Sequence, residues 1–260
     1  VEQKFSTNHG AGLTSERSTA GFRFKAMILA AGRGERMRPL TDTLPKPLLR
    51  AGGKSLIEYH LESLARAGFV EVVINHAHLG QMIEAALGNG ERYGVRIRYS
   101  HESAALETAG GIAQAMPLLQ AGWENEYGEQ PFVTVNADIY CEIDFSILLP
   151  ALRHMQTHPD EDLAHLVMVD NPAQHAGGDF VLDSGRIVPS GKDNLTFSGI
   201  GAYQPGLFKD VVPGTVAKLA PLLRQAIAAG KIGGQHYRGI WVDVGTPERL
   251  RQLDARLNEG

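Results

Sequence analysis

Ala26-Met27-Ile28-Leu29-Ala30-Ala31 is an apolar run with no polar break, and it stops at Gly32. A strand with one wet face alternates apolar and polar residues. An unbroken run must be buried on both faces, as strands of a parallel sheet are. Phe69 to Ile74 reads as the next strand, and Phe132-Val133-Thr134-Val135-Asn136 as another buried one. Helix signals lie between these runs. Ser55 and Glu58 form a capping box, Ile57, Leu61 and Leu64 mark one helix face, and Gly68 ends it. Leu79 to Leu87 reads as a second helix, Val95 to Tyr99 as a half-exposed strand, and about Thr108 to Leu119 as a third helix. This alternation predicts an α/β class fold, doubly wound around a mostly parallel sheet. Ligands in such sheets sit beyond the carboxyl ends of the strands, where Gly32 to Arg36 and Asp138 fall.

The second half is more mixed. Leu163 to Val169 and Phe197 to Tyr203 read as strands, with a hairpin between them turning at Asp183-Ser184-Gly185. Leu219 to Ala229 reads as a helix and Tyr237 to Val244 as one strand carrying Asp243. Thr246 then caps a last helix with Pro247 at its first position. We expect one domain over residues 25–260, with a nucleotide half at about 25–140 and a mixed β substrate half at about 141–260. Val1 to Phe24 is polar, Gly-containing and without apolar period, so it reads as a disordered leader or an added tail. The net charge of -4 disfavours nucleic acid as a partner. The single cysteine, Cys141, excludes an intrachain disulfide and suits a reducing cytoplasm. No apolar run is long enough to span a bilayer, so no membrane partner is expected.

The loop after the first strand reads Gly32-Arg33-Gly34-Glu35-Arg36-Met37-Arg38-Pro39-Leu40. Met37 stands where a dinucleotide fingerprint needs its third glycine, and the P-loop ending is missing too. The small residues still allow backbone N–H groups to approach a phosphate chain. Arg33, Arg36 and Arg38 crowd the loop, and Lys46 follows between Pro45 and Pro47, which restrict the backbone around it. Two aspartates complete the pattern. Asp138 follows the strand Phe132–Asn136, and Asp243 lies between Val242 and Val244. An aspartate at a strand end is often only a cap or turn residue. Thr246 already caps the next helix, however, and a buried Asp243 needs a partner. Magnesium takes one or two carboxylates together with substrate phosphates, which two such aspartates can supply.

Leu-Ala-Ala-Gly-x-Gly-x-Arg-Met-x-Pro-Leu-Thr, followed by Pro-Lys-Pro-Leu-Leu, runs from Leu29 to Leu49. It resembles the signature of the sugar-1-phosphate nucleotidylyltransferases, and the resemblance extends from Lys25 to about Leu257. It implies a Rossmann-like nucleotidyltransferase fold, with a nucleoside triphosphate and a sugar 1-phosphate as substrates. It also implies that Arg36 and Lys46 are catalytic, that Ala31, Gly32, Gly34, Glu35 and Asn136 line the nucleotide site, and that Asp138 and Asp243 hold Mg²⁺. Within the family the likeness is to a bacterial branch acting with UTP on N-acetylmuramic acid α-1-phosphate, in cell-wall peptidoglycan recycling. Mannose-1-phosphate guanylyltransferase is the alternative. A non-catalytic nucleotide-sugar sensing module is a weaker one, because Arg36, Lys46, Asp138 and Asp243 are all present. Ala137 replaces the glycine that usually precedes the first aspartate.

The resemblance places base recognition in His101 to Gly111. Glu102 aligns with the base-reading position, Glu107 replaces the usual glycine, and Gly110 lies near the helix start. A carboxylate only accepts hydrogen bonds, so it fits uracil N3–H and the guanine edge alike. Either glutamate could instead serve the helix N-terminus. Gly178 and Asp179 fall where relatives contact the sugar, and Lys192 is the candidate for its phosphate or lactyl carboxylate. His154, His158 and His165 lack metal-ligand spacing and read as surface residues. The expected chemistry is in-line attack of a sugar phosphate oxygen on the α-phosphorus. The second pKa of a phosphate monoester is about 6, so no protein base is needed.

Overall fold

The computed structural model describes residues 24–122, 128–189 and 191–259. The leader expected up to Phe24 lies outside them except for Phe24 itself. That residue is 4% exposed and packs in the core, so Phe24 itself does not belong to a disordered leader.

In chain order, the first half comprises β1 (Ala26–Leu29), β2 (Arg50–Ala51), β3 (Lys54–Ser55), α1 (Leu56–Arg66), β4 (Glu71–His76), α2 (Gly80–Leu87), β5 (Arg96–His101), α3 (Glu107–Gln120) and β6 (Phe132–Asn136). The second half comprises β7 (Ile139–Cys141), α4 (Leu149–Thr157), β8 (Ala164–Val169), β9 (Val181–Asp183), β10 (Arg186–Val188), β11 (Thr196–Tyr203), α5 (Leu219–Ala228), β12 (Ile232–Tyr237), β13 (Trp241–Asp243) and α6 (Pro247–Glu259). The capping box at Ser55 and Glu58 starts α1 as expected. The stretch from Tyr237 to Val244 is not one strand. β12 ends at Tyr237, and β13 leaves the main sheet to pair with β7.

One nine-stranded sheet runs β5-β4-β1-β6-β11-β8-β12-β10-β9. β5, β4, β1 and β6 are all parallel, which is the doubly wound half. β11 is antiparallel to both β6 and β8, and the remaining strands continue a mixed sheet.

The unbroken apolar run is explained by β1. Ala26 and Ile28 face a core completed by Ile57, Leu61 and Leu64 of α1. Met27 faces the opposite core, built with Ala109, Ile112 and Ala115 of α3. With helices on both faces, β1 has no wet side and needs no polar alternation. Burying one such large apolar side chain contributes roughly 1.5–3 kcal/mol.

A third, smaller core holds Met37, Leu56, Tyr140, Val244, Leu250 and Leu253. It clamps the β7–β13 ladder and α6 against the glycine-rich loop. Among the described residues, no helix is long and apolar enough to cross a membrane. His154 and His158 are exposed, but His165 is half-buried in β8, with Nε2 3.1 Å from Gln235 Oε1. Its place in β8, paired with Gly233 of β12, corrects the surface reading for His165.

Candidate active site

Three chain segments are pinned by one buried chain of hydrogen bonds. The backbone N–H of Ala30, just past β1, donates to Asn75 Oδ1 at 2.9 Å. Asn75 Nδ2 donates to Glu102 Oε1 at 2.6 Å. The backbone N–H of Leu106 donates to Glu102 Oε2 at 2.9 Å. Asn75 and Glu102 are both buried, so each bond also averts the cost of a bare polar group. The glycine-rich loop, the end of β4 and the entry to α3 are thereby held in fixed relation.

The loop itself depends on Gly34. Its φ is 68°, and an added Cβ would lie 3.1 Å from Thr41 Cγ2 and 3.2 Å from Lys46 Cβ. Thr41 Oγ1 donates to Gly34 O at 2.9 Å and closes the turn. The chain then passes Pro45 into a single 3-10 turn, Lys46–Leu48, which buries the stem of Lys46.

Lys46 Nζ lies 2.7 Å from Asp138 Oδ2. The β7–β13 ladder brings the second aspartate to the same place. It pairs Asp243 with Ile139, and the N–H of Val244 donates to Asp138 O at 3.0 Å. Asp243 Oδ2 is 2.5 Å from Arg249 Nη1, on the first turn of α6. Beneath the ladder, buried His60 has Nε2 2.9 Å from Ile139 O, and burial pushes its pKa down to about 4. Its imidazole is therefore neutral and donates to that carbonyl. Neighbouring Cys141 is buried, and burial raises its thiol pKa to about 11, which makes it an inert packing residue.

A cavity of about 480 Å³ opens above these groups. Of the residues expected at the nucleotide and metal sites, Ala31, Gly32, Gly34, Glu35, Arg36, Lys46, Glu107, Asn136 and Asp138 line it. Asp243 does not, although Gly245 beside it does. A second cavity of about 390 Å³ adjoins the first. Leu29, Glu107, Thr108 and Asn136 line both. Asp179 lines the second, where Oδ2 accepts from Phe197 N–H at 2.8 Å and Oδ1 lies 3.0 Å from His175 Nε2.

Four expected site residues stand elsewhere. Glu102 lies outside both cavities, with both oxygens engaged by Asn75 and Leu106 N–H, so it orders the loop. Gly110 lies against the 215–217 backbone: an added Cβ would be 2.3 Å from Thr215 O. Close helix packing, not approach of a base, requires this glycine. Gly178, at φ 61°, nestles against Asn171 and Asn194 within its own loop. Lys192 is exposed and lines neither cavity.

Sequence reasoning also missed residues. Asn75 was legible as the polar residue ending an apolar strand. Gly199 lines the second cavity at φ 80°, where an added Cβ would be 2.5 Å from Asn136 Nδ2. It sits in the span where the β11–β8 register shifts, a bulge no residue pattern announces. Lys218 and Arg224 line the same cavity, and in sequence they look like ordinary solvated cations.

A glycine-rich loop opposite two strand-end aspartates, over the parallel half of a continuous sheet, is a nucleotide-binding α/β arrangement. The chain belongs to the nucleotidyl transferase family, whose profile matches residues 25–260. It is 52% identical over 235 residues to N-acetylmuramate alpha-1-phosphate uridylyltransferase of Neisseria meningitidis serogroup B, covering 89% of this chain and 97% of that protein. It is 30% identical to mannose-1-phosphate guanyltransferase beta-B of Xenopus laevis, covering 86% of this chain but 62% of that longer protein. A crystal structure of UDP-glucose pyrophosphorylase complexed with UDP-glucose shares the fold. Its TM-score is 0.69 at 19% identity, covering 92% of this chain and 99% of that one.

Proposed function

We propose that this chain transfers the uridylyl group of UTP to N-acetylmuramic acid α-1-phosphate, giving the UDP-sugar and pyrophosphate. The observation that carries the reading is the Lys46–Asp138 pair at the floor of the loop-lined cavity, with Asp243 delivered beside it by β13. The choice of UTP and of this sugar rests on the likeness to the Neisseria meningitidis protein. The reaction belongs to cytoplasmic recycling of peptidoglycan sugars.

Loop amides from Ala31 to Gly34 and the guanidinium of Arg36 receive the triphosphate. Lys46, fixed by Pro45 and its buried stem, holds positive charge where the α-phosphoryl group reacts. The sugar phosphate enters from the second cavity and attacks in line. The phosphate is already ionised, so positioning and charge stabilisation carry the catalysis. Asp138 and Asp243 fit a hard divalent cation such as Mg²⁺: two carboxylates are too few for an all-protein cage and suit an ion that shares substrate phosphates. When bound, that ion supplies neutralisation of charge on the leaving pyrophosphate. Each carboxylate meanwhile has a cationic partner, Lys46 or Arg249, that orients it.

The test is a matrix of nucleoside triphosphates against sugar 1-phosphates, read by pyrophosphate release. UTP with N-acetylmuramic acid α-1-phosphate should be the fastest pair. Fastest release from GTP with mannose 1-phosphate would overturn the substrate assignment, and no release from any pair would overturn the activity.

A further inference from the structure

We infer that Lys218 and Arg224 form a carboxylate anchor in the second cavity that selects sugar 1-phosphates bearing an acidic ether arm. The inference rests on the proposed reaction and names the feature that would set its sugar preference.

The two cavities meet at Leu29, Glu107, Thr108 and Asn136, so the reacting phosphate of a bound sugar lies at that border. Lys218 and Arg224 line only the second cavity. They are therefore placed for a second anion on the sugar, away from the phosphate that reacts. Neither side chain has an ion-pair or hydrogen-bond partner among the described residues, unlike those of Lys46 and Arg249. Asp179, the acid lining this cavity alone, is already engaged by Phe197 N–H and His175.

α5 supplies both the charge and an apolar wall. Lys218 is its N-cap, while Leu219 and Leu223, one turn apart, and Ala220 and Arg224, one turn apart, line the same cavity. Phe180 and Phe197 also line it. N-acetylmuramic acid differs from N-acetylglucosamine by a lactyl ether, whose methine carbon carries one methyl group and one carboxylate. A cavity with an apolar wall and two unpaired cations matches both parts of that arm. Lys192, the candidate from sequence, lines neither cavity.

The experiment measures kcat/KM of the full chain with UTP for N-acetylmuramic acid 1-phosphate and N-acetylglucosamine 1-phosphate. Wild type should prefer the former. In Lys218→Gln and Arg224→Gln that preference should fall by roughly 10- to 100-fold, the range for a lost charge-assisted contact, and the fall should appear in KM. Both positions are exposed, and an unchanged KM for UTP verifies that each variant is folded. A parallel fall for both sugars would place the two cations on the reacting phosphate and overturn the anchor. So would an unchanged preference, or its loss in Lys192→Gln alone. If wild type fails to use N-acetylmuramic acid 1-phosphate, the reaction itself is wrong and the anchor falls with it.

Discussion

Lys46 Nζ sits 2.7 Å from Asp138 Oδ2, and the two side chains differ sharply in exposure, at 7% and 40%. The lysine is thus a buried charge whose partner reaches toward the cavity. Lys46→Ala and Asp138→Ala should each lower kcat by more than about 100-fold, the scale of a lost transition-state contact. Their stabilities should differ. Asp138→Ala strands a buried ammonium and should cost roughly 1–3 kcal/mol, while Lys46→Ala leaves a carboxylate that water can reach and should cost less. Steady-state kinetics and urea midpoints check both. Full turnover in either variant would sink the site.

Glu102 offers a test of loop ordering against base reading. Glu102→Gln can keep the acceptor for Asn75 but turns an amide NH₂ toward Leu106 N–H. Stability should fall by about 1–3 kcal/mol. The ratio of UTP to GTP turnover should stay within threefold. A large change in that ratio would return Glu102 to the base.

Glu107 adopts φ 60° at the border of the two cavities. Left-handed backbone costs an ordinary residue roughly 1 kcal/mol, and glycine escapes it. Glu107→Gly should leave stability unchanged to within about 1 kcal/mol, whereas the β-branched Glu107→Val should lose more than that. Equal unfolding midpoints for the two variants would show that the backbone at this position is not left-handed.

His60 carries a pH signature. Its folded pKa is about 4, set chiefly by burial, against about 6.5 when unfolded. Between those values the unfolded chain binds the proton more tightly. The contribution of neutral His60 is therefore complete above pH 6.5 and is lost as pH falls toward 4, about 3 kcal/mol in total. Carboxylates also titrate in this window, so the readout is the difference between wild type and His60→Gln in urea midpoint from pH 4 to 7. A difference independent of pH would refute the buried neutral imidazole.

The sequence by itself determined the parallel half of the sheet. Ala26–Leu29 advertises two-sided burial in its own composition, the apolar stretches around residues 69–74 and 132–135 mark its neighbours as strands, and Ser55 with Glu58 announces a helix start within one turn. The glycine-rich loop, Lys46 and the two aspartates also stood out there as candidates, because glycine pairs, prolines and charges are visible locally. Only the tertiary structure decided which residues share a cavity. β13 leaves the main sheet to bring Asp243 beside Asp138, more than one hundred positions away in sequence. Packing turned Glu102 inward to Asn75, set Gly110 against the 215–217 backbone, and laid Lys218 and Arg224 over the second cavity. Local patterns record how a segment twists and which face is greasy. Whether a charged residue meets water, a neighbour or a substrate depends on distant segments closing around it, and that is settled only when the cores pack.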